Sequence, residues 1–214
     1  MTPQEPTSAG LRTRAPGIAR NAMHRLEMDM IAHTDKRRNA EGWLILDGSV
    51  QFGEFVRAPW TIGVAKNFRK DPVFRFGRGT AQRQDITSIL AGLPYAHRTV
   101  AFAARQGQES STKGQVAFWY VRLREQKELD YPLMGVIKVE LPRPDGTPVP
   151  ADLANLISRA LVAERNVTPY GRDTRWHCHL YPIFQAEQTI KNGFYSQDVL
   201  MGMIRWPHAV RSTT

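Results

Sequence analysis

The sequence predicts a mixed α/β domain. Strand-like segments rich in β-branched and aromatic residues come early, helix-like segments come late, and no internal repeat is present. A chain of 214 residues is long enough for one domain with a sizeable core. We therefore expect a disordered leader over residues 1–16 and one folded domain over residues 17–208.

The N-terminal elements are a leader, a helix and a strand. Residues 1–16 are rich in Pro, Thr, Ser and Gly and lack periodicity, which is typical of disorder. Apolar residues then recur at helical spacing over residues 18–33 and predict an amphipathic helix. The apolar run Trp43–Leu46 predicts a strand that is buried on both faces and ends at Asp47.

Three further strands and three helices complete the prediction. The strands cover Trp60–Lys66, Ala117–Arg124 and Met134–Glu140, and the proline-rich stretch 142–150 is a long connection. Asp152 is expected to cap a helix whose inward residues are Leu153, Leu156, Ile157, Ala160 and Leu161. Another helix is predicted over Pro182–Lys191 with Ile183, Ala186 and Ile190 inward, and a last one after Ser196.

Charge and cysteine usage limit the function classes. The net charge of +9 favours a polyanionic partner, with nucleic acid first and an acidic membrane surface second. Residues 67–83 mix arginine and lysine with phenylalanine, which suits phosphate and base contacts but also a surface loop with buried phenylalanines. The sequence has no membrane span and no signal peptide, and its only cysteine is Cys178, so we expect a cytoplasmic location.

Asp47 and Gly48 follow the first predicted strand directly. A carboxylate at the C-terminal end of a strand, followed by a glycine that permits a tight turn, is typical of catalytic or metal-binding sites in open α/β sheets. An Asp-Gly turn that closes a β-hairpin is the alternative interpretation.

Other site types find less support in the sequence. His177-Cys178-His179 lacks the second ligand pair of a structural zinc site, and no local motif supports Cys178 as a nucleophile. There is no phosphate-binding loop and no dinucleotide fingerprint, which disfavours an ATPase or a nicotinamide enzyme.

Several carboxylates are candidates for two-metal phosphodiester chemistry, which needs acids that converge on one spot. Such oxygen ligands suit Mg²⁺ and Mn²⁺. The candidates are Asp47, Glu27, Glu140, Asp173 and Glu187. A helix packed over a strand would bring Glu27 near Asp47, although Glu27 is also compatible with a solvated helix position.

Several segments, in their order along the chain, resemble the NurA domain. They are His24–Glu27, Trp43–Ser49 with its Asp-Gly-Ser, Ile62–Lys66, Trp119–Leu123, Gly135–Glu140, Asp173–Trp176, and Leu180–Ile183 with Glu187. The last two are similar to the closing motif of the bacterial branch. The resemblance covers roughly residues 20–205.

The resemblance implies an RNase H-like fold related to the Piwi domain, with a mixed sheet flanked by helices. It implies a Mn²⁺-dependent DNA nuclease that acts on single strands and duplex ends, forms homodimers, and works with a hexameric HerA-type ATPase in end processing or phage defence. By position, Asp47 and Glu27 match acids of the metal site, and Tyr181 matches a tyrosine near the reaction centre.

The sequence departs from the family pattern at two places. The family has a further Asp-Gly motif on a first strand upstream of the position of Glu27, and the only carboxylate before Glu27 here is Glu5. Glu187 falls near the position where the archaeal pattern has a histidine. The chain is thus expected to lack the first strand and one acid, unless Glu140 or Asp173 takes the place of that acid.

We therefore expect a nuclease in which Asp47 and Glu27 bind Mn²⁺ or Mg²⁺, with Asp173 or Glu140 completing the ligand set. Tyr181, Arg175 and Lys66 would position or neutralise the phosphate. The alternative is a catalytically inactive DNA-binding or assembly subunit with the same fold. A recombinase or integrase is less favoured because so short a chain shows no domain that reads DNA ends.

Overall fold

The fold is known from a computed structural model of the chain. It describes residues 8–37, 42–50, 55–68, 73–76, 82–103, 115–167, 178–196 and 199. The helices are α1 (Ser8–Asp35), α2 (Ile86–Ala91), α3 (Ala151–Ala163) and α4 (Tyr181–Gly193), with a 3-10 turn at Phe55–Arg57. The strands are β1 (Leu44–Asp47), β2 (Thr61–Ala65), β3 (Val73–Phe76), β4 (Gln82–Asp85), β5 (Phe102–Ala103), β6 (Val116–Arg122) and β7 (Val136–Pro142).

A five-stranded mixed sheet forms the centre of the described structure, in the order β1-β2-β7-β6-β5. Strands β1 and β2 are parallel, whereas the other neighbours are antiparallel. β3 and β4 form a separate antiparallel pair. The predicted α/β class, with a mixed sheet flanked by helices, is confirmed.

The two faces of the sheet carry separate cores because side chains alternate along each strand. On one side, which we call the α2 face, Phe118, Tyr120 and Val136 pack with residues of α2, of the 3-10 turn and of the C-terminal part of α1. On the other side, the α3–α4 face, Trp119 and Val139 pack with residues of α3 and α4. Strands β6 and β7 are therefore buried on both sides, which explains their nearly continuous apolar sequence.

β1 differs from the prediction. It is the edge strand, and Leu44, Ile45 and Leu46 are only partly buried rather than buried on both faces. Asp47 ends the strand as predicted. The parallel pairing with β2 rules out the hairpin interpretation of Asp47-Gly48, because a two-residue turn joins antiparallel strands only.

Helices α1 and α4 are longer than predicted, and α3 and α4 bury partly different residues from those expected. α1 begins at Ser8, so residues 8–16 of the expected leader are helical, in keeping with their alanine, leucine and arginine content. In α3 the N-cap is Pro150 rather than Asp152, which lies in the first turn. Leu156 and Ala160 of α3, which were expected to face inward, are exposed, whereas Ala154 and Ser158 are buried.

In α4 only the first of the three residues expected to face inward does so. Ile183 is buried, while Ala186 and Ile190 are exposed. Of the helix expected after Ser196, the structure describes Val199, whose backbone N–H lies 3.4 Å from the Ser196 hydroxyl. The remainder of that predicted helix lies outside the described residues. None of the described helices is long and apolar enough to cross a membrane.

Candidate functional site

Asp47 lies where the parallel strands β1 and β2 both end. It pairs in register with Val64, and Lys66 follows the last residue of β2. Gly48 turns the chain away with φ +155°, a conformation that favours glycine, and its N–H donates to the Val64 carbonyl at 2.9 Å. Two polar side chains therefore leave the sheet side by side at the carboxyl ends of parallel strands.

Lys66 forms the closest contact of this site. Its ammonium donates to Oδ2 of Asp47 at 2.8 Å. The Lys66 side chain is only 6% exposed, whereas Asp47 is 33% exposed. A nearly buried ammonium requires nearby acceptors because desolvation of a charge is costly. Asp47 meets this requirement and leaves its own carboxylate partly open to solvent.

Two residues from the C-terminal part of the chain complete the surroundings of Lys66. Nε2 of His179 lies 3.5 Å from the Lys66 ammonium, and Oε1 of Glu187 lies 3.9 Å from it. Because an ammonium group only donates, the first contact requires the tautomer in which Nε2 accepts. We call Asp47, Lys66, His179 and Glu187 the Lys66 cluster.

Helix α4 positions Glu187. Ile183 anchors the helix in the core of the α3–α4 face, and Glu187 lies one turn later on the same side of the helix. Lys191, a further turn along, lies 3.8 Å from the other oxygen of Glu187. The cluster thus joins the carboxyl ends of two strands to one helix.

The cluster has the chemical properties of a phosphate-binding acid–base site. A phosphodiester oxygen that approaches Lys66 would compete with Asp47 for the ammonium. Release of the Asp47 carboxylate would then provide an acceptor for a proton beside a neutralised phosphate. Glu187 and His179 supply further acceptors within reach of the same ammonium.

Glu27 and Asp47 contact different partners. The Glu27 carboxylate lies 3.9 Å from Nδ1 of His24, and the His24 ring contacts Phe55. Ile31, one turn further along, is buried in the core of the α2 face. The side chain of Asp47 instead contacts Lys66, and Lys66 in turn contacts Glu187 of helix α4. Among the described residues, no contact to a shared partner joins these two carboxylates.

Glu140 is fully buried on the α2 face. Its Oε1 accepts from Lys138 at 2.5 Å, and its Oε2 accepts from the Ser49 hydroxyl at 2.7 Å and from the Val50 N–H at 2.9 Å. Both oxygens therefore have protein donors. These protein donors take the place of the water that a buried carboxylate loses.

The other predicted site residues divide into two groups. Tyr181 begins α4 with 53% of its surface exposed, and its backbone N–H donates to the Glu164 carbonyl at 2.7 Å. It therefore shares a helix with Glu187, although no hydrogen bond in the described part of the chain joins its phenol to Lys66. Asp173 and Arg175 lie outside the described residues.

Cys178 has a core position. It is buried in the α3–α4 face, and its Sγ lies 3.5 Å from the Val136 carbonyl oxygen. Burial raises the pKa of the thiol to about 11. A thiol with so high a pKa is a poor nucleophile at neutral pH, which agrees with the interpretation of this residue from sequence.

The described side chains do not by themselves fit a bound Mn²⁺ or Mg²⁺. Among the described residues, no group of three or more His, Cys, Asp or Glu is arranged to hold a metal ion. Asp47 and Glu187 face one point, but the Lys66 ammonium lies at that point. Glu27 and Glu140, the other expected ligands, have partners elsewhere.

His179 is the cluster member that sequence analysis missed. The sequence showed it only as part of a weak zinc pattern. Its contact with Lys66 spans 113 positions along the chain and depends on how β2 and the start of α4 pack. No local spacing encodes such a contact, so a single sequence carries no signal for it.

Comparison of the sequence with protein-family models finds no match. Comparison with curated proteins likewise finds no significant match.

Proposed function

We propose that this protein is a metal-dependent DNA nuclease of the NurA type, with an RNase H-like fold and its reaction centre at the Lys66 cluster. One observation carries the proposal. Asp47, at the carboxyl ends of two parallel strands, is held by a nearly buried lysine that a second acid, Glu187, also faces. The net charge of +9 supports a nucleic-acid substrate.

The residues of the cluster have distinct roles in this proposal. Lys66 orients Asp47 in the absence of substrate and neutralises a phosphate oxygen when DNA is bound. Asp47 then serves as the proton acceptor or polar anchor beside the scissile phosphate. The resemblance implies a Mn²⁺ or Mg²⁺ ion, and the chemistry that it would supply is activation of water and stabilisation of the leaving oxygen. The proposed metal dependence rests on the family resemblance, with the remaining ligands supplied from outside the described residues, for example by Asp173.

The resemblance supports the proposed substrate and partners, and the single cysteine, Cys178, supports the proposed location. We propose DNA as substrate, a hexameric HerA-type ATPase and a second copy of the chain as partners, and the cytoplasm as location. Tyr181 and Arg175 stay predicted contacts of the phosphate, and Glu27 stays a predicted metal ligand.

A second candidate function is a DNA-binding or assembly subunit without catalytic activity. The separate pairing of the described carboxylates favours it, since Asp47, Glu27 and Glu140 each have a different cationic or imidazole partner. Binding to DNA would show similar salt dependence in both cases. Cleavage therefore has to decide between them.

The deciding experiment measures degradation of end-labelled single- and double-stranded DNA by the full chain with Mn²⁺, with Mg²⁺ or with EDTA. The nuclease proposal expects cleavage with a divalent metal and none with EDTA. DNA binding without cleavage under any metal condition would contradict it and support the subunit function.

A further inference from the structure

We propose that Glu140 is a positioning residue, which fixes the turn after Asp47 and thereby sets the direction in which Asp47 meets Lys66. The effect of Glu140 on DNA cleavage rests on the proposed function. The role of Glu140 in fixing the turn rests only on the contacts of Gly48–Val50.

The turn crosses β2 at very short range. A Cβ atom on Gly63 would lie 2.9 Å from the Gly48 carbonyl oxygen and 3.0 Å from Cγ1 of Val50. Gly63 thus leaves space for the chain to pass over the strand. From there the turn reaches β7, where Glu140 is paired in register with Gly63.

Glu140 holds the far side of the turn. One carboxylate oxygen, Oε2, accepts both the Ser49 hydroxyl at 2.7 Å and the Val50 N–H at 2.9 Å. The near side is held separately, because the Gly48 N–H donates to the Val64 carbonyl at 2.9 Å. The residues after Asp47 are therefore fixed to two strands at once.

Lys138 orients the carboxylate of Glu140. It lies two residues earlier on β7, on the same face of the sheet, and donates to Oε1 of Glu140 at 2.5 Å. Its ammonium also lies 4.6 Å from the centroid of the Phe118 ring. The Lys-Val-Glu sequence at 138–140 thus forms a buried ion pair, and the second carboxylate oxygen of Glu140 holds the turn.

The test compares two double variants that differ only in the hydrogen-bond acceptor. Lys138→Met/Glu140→Gln keeps a side-chain oxygen for Ser49 and Val50, whereas Lys138→Met/Glu140→Leu removes it at similar volume. Both remove the buried charges together, so that no ammonium is left unpaired. Methionine keeps a favourable contact with the Phe118 ring.

The experiment measures amide hydrogen exchange at Gly48. The Gly48 N–H does not bond to Glu140, so a loss confined to the two hydrogen bonds of Glu140 would leave the exchange rate of Gly48 unchanged. We expect exchange in the Leu variant to be up to roughly 25-fold faster than in the Gln variant, since two hydrogen bonds are lost and each corresponds to about a factor of five. On DNA, kcat of the Leu variant should fall roughly tenfold or more while KM stays within about threefold.

Ser49→Ala gives a second test should the Leu variant fail to fold. It removes one of the two bonds to Oε2 without changing the core and should raise Gly48 exchange in the same direction by a smaller factor. Ser158→Ala is the control: it removes a buried hydroxyl that accepts from Trp119 Nε1 on the α3–α4 face. It should leave Gly48 exchange unchanged.

Equal Gly48 exchange and equal kcat in the two double variants would overturn the proposal. Unchanged exchange together with loss of activity in both would also overturn it, because Glu140 would then act through its charge. If the wild-type chain cleaves no DNA, the proposed function fails, while the exchange comparison still decides whether Glu140 fixes the turn.

Discussion

Arg122 is a buried cation whose guanidinium is bound by main-chain carbonyl groups. It is 1% exposed in β6. Its nitrogens donate to the carbonyl oxygens of Leu93, Met134, Leu90 and Pro132 at distances of 2.5 to 2.8 Å. Burial lowers its pKa. The side chain therefore joins the C-terminal end of α2 to the turn before β7.

Replacement of Arg122 by methionine should lower the free energy of unfolding by about 3 kcal/mol or more. Several buried carbonyl groups would lose their donor, and each such loss costs about 1–3 kcal/mol. Urea unfolding measures the change. Arg159→Met, at an exposed position of α3, is the matched control and should change stability by less than about 0.5 kcal/mol. Equal effects of the two substitutions would contradict this role.

At the scale of elements, a strand or helix was predicted well where its own sequence shows a clear hydrophobic pattern. The strands β2, β6 and β7 were predicted to within about two residues at each end, because their apolar runs are bounded by turns. The buried side of α4 was not, since Ile190 is apolar but exposed. Periodicity identifies a helix, whereas the side that is buried depends on the neighbouring elements.

The β3–β4 pair is an element that the sequence did not predict. Residues 67–83 were interpreted as a basic surface segment, yet Val73–Phe76 and Gln82–Asp85 pair as antiparallel strands. Arg75 and Arg83 are directly opposite in the register. The mixture of basic and aromatic residues in this segment suits contacts with phosphates and bases.

Arg75→Gln/Arg83→Gln should therefore weaken DNA binding by the full chain. The slope of log Kd against log salt concentration should fall by about 1 for each phosphate contact that is lost. Fluorescence anisotropy at several salt concentrations measures it. Lys127→Gln/Arg159→Gln removes the same charge at exposed positions and should leave the slope unchanged. An equal fall in both would indicate a non-specific charge effect.

At the scale of the whole molecule, the two buried titratable groups on opposite faces of the sheet predict alkaline instability. Burial, helped by the Glu140 charge, raises the pKa of Tyr120 to about 12, and burial raises that of Cys178 to about 11. Ordinary values are 10.0 for the phenol and 9.0 for the thiol. The unfolded chain thus releases these protons first as the pH rises.

Stability should accordingly be complete below about pH 9 and fall as the pH rises toward 11 and 12, by up to about 1.4 kcal/mol per pH unit for each titrating group. Urea unfolding between pH 8 and pH 11.5 measures this fall. Tyr120→Phe removes one of the two groups and should make it shallower. An identical pH dependence in the variant would refute the contribution of Tyr120.

The candidate site was predictable only in part. Asp47 and Gly48 were found because a strand end and a glycine lie next to each other in sequence. Lys66 was found through the family resemblance. The partners of Glu27 and Glu140 were not predictable, because they depend on which face of the sheet each side chain meets. Single residues with suitable chemistry can be recognised from local sequence, but whether their side chains come together depends on how the molecule packs.

The central claim is that DNA is cleaved at the Lys66 cluster, and single-turnover cleavage by Asp47→Asn tests it most directly. Asparagine keeps the shape of Asp47 but not its charge, so the rate should fall by at least about 100-fold while the chain stays folded. Asp152→Asn, at an exposed position in the first turn of α3, is the matched control and should cleave at the wild-type rate. Cleavage by Asp47→Asn at the wild-type rate would contradict the account.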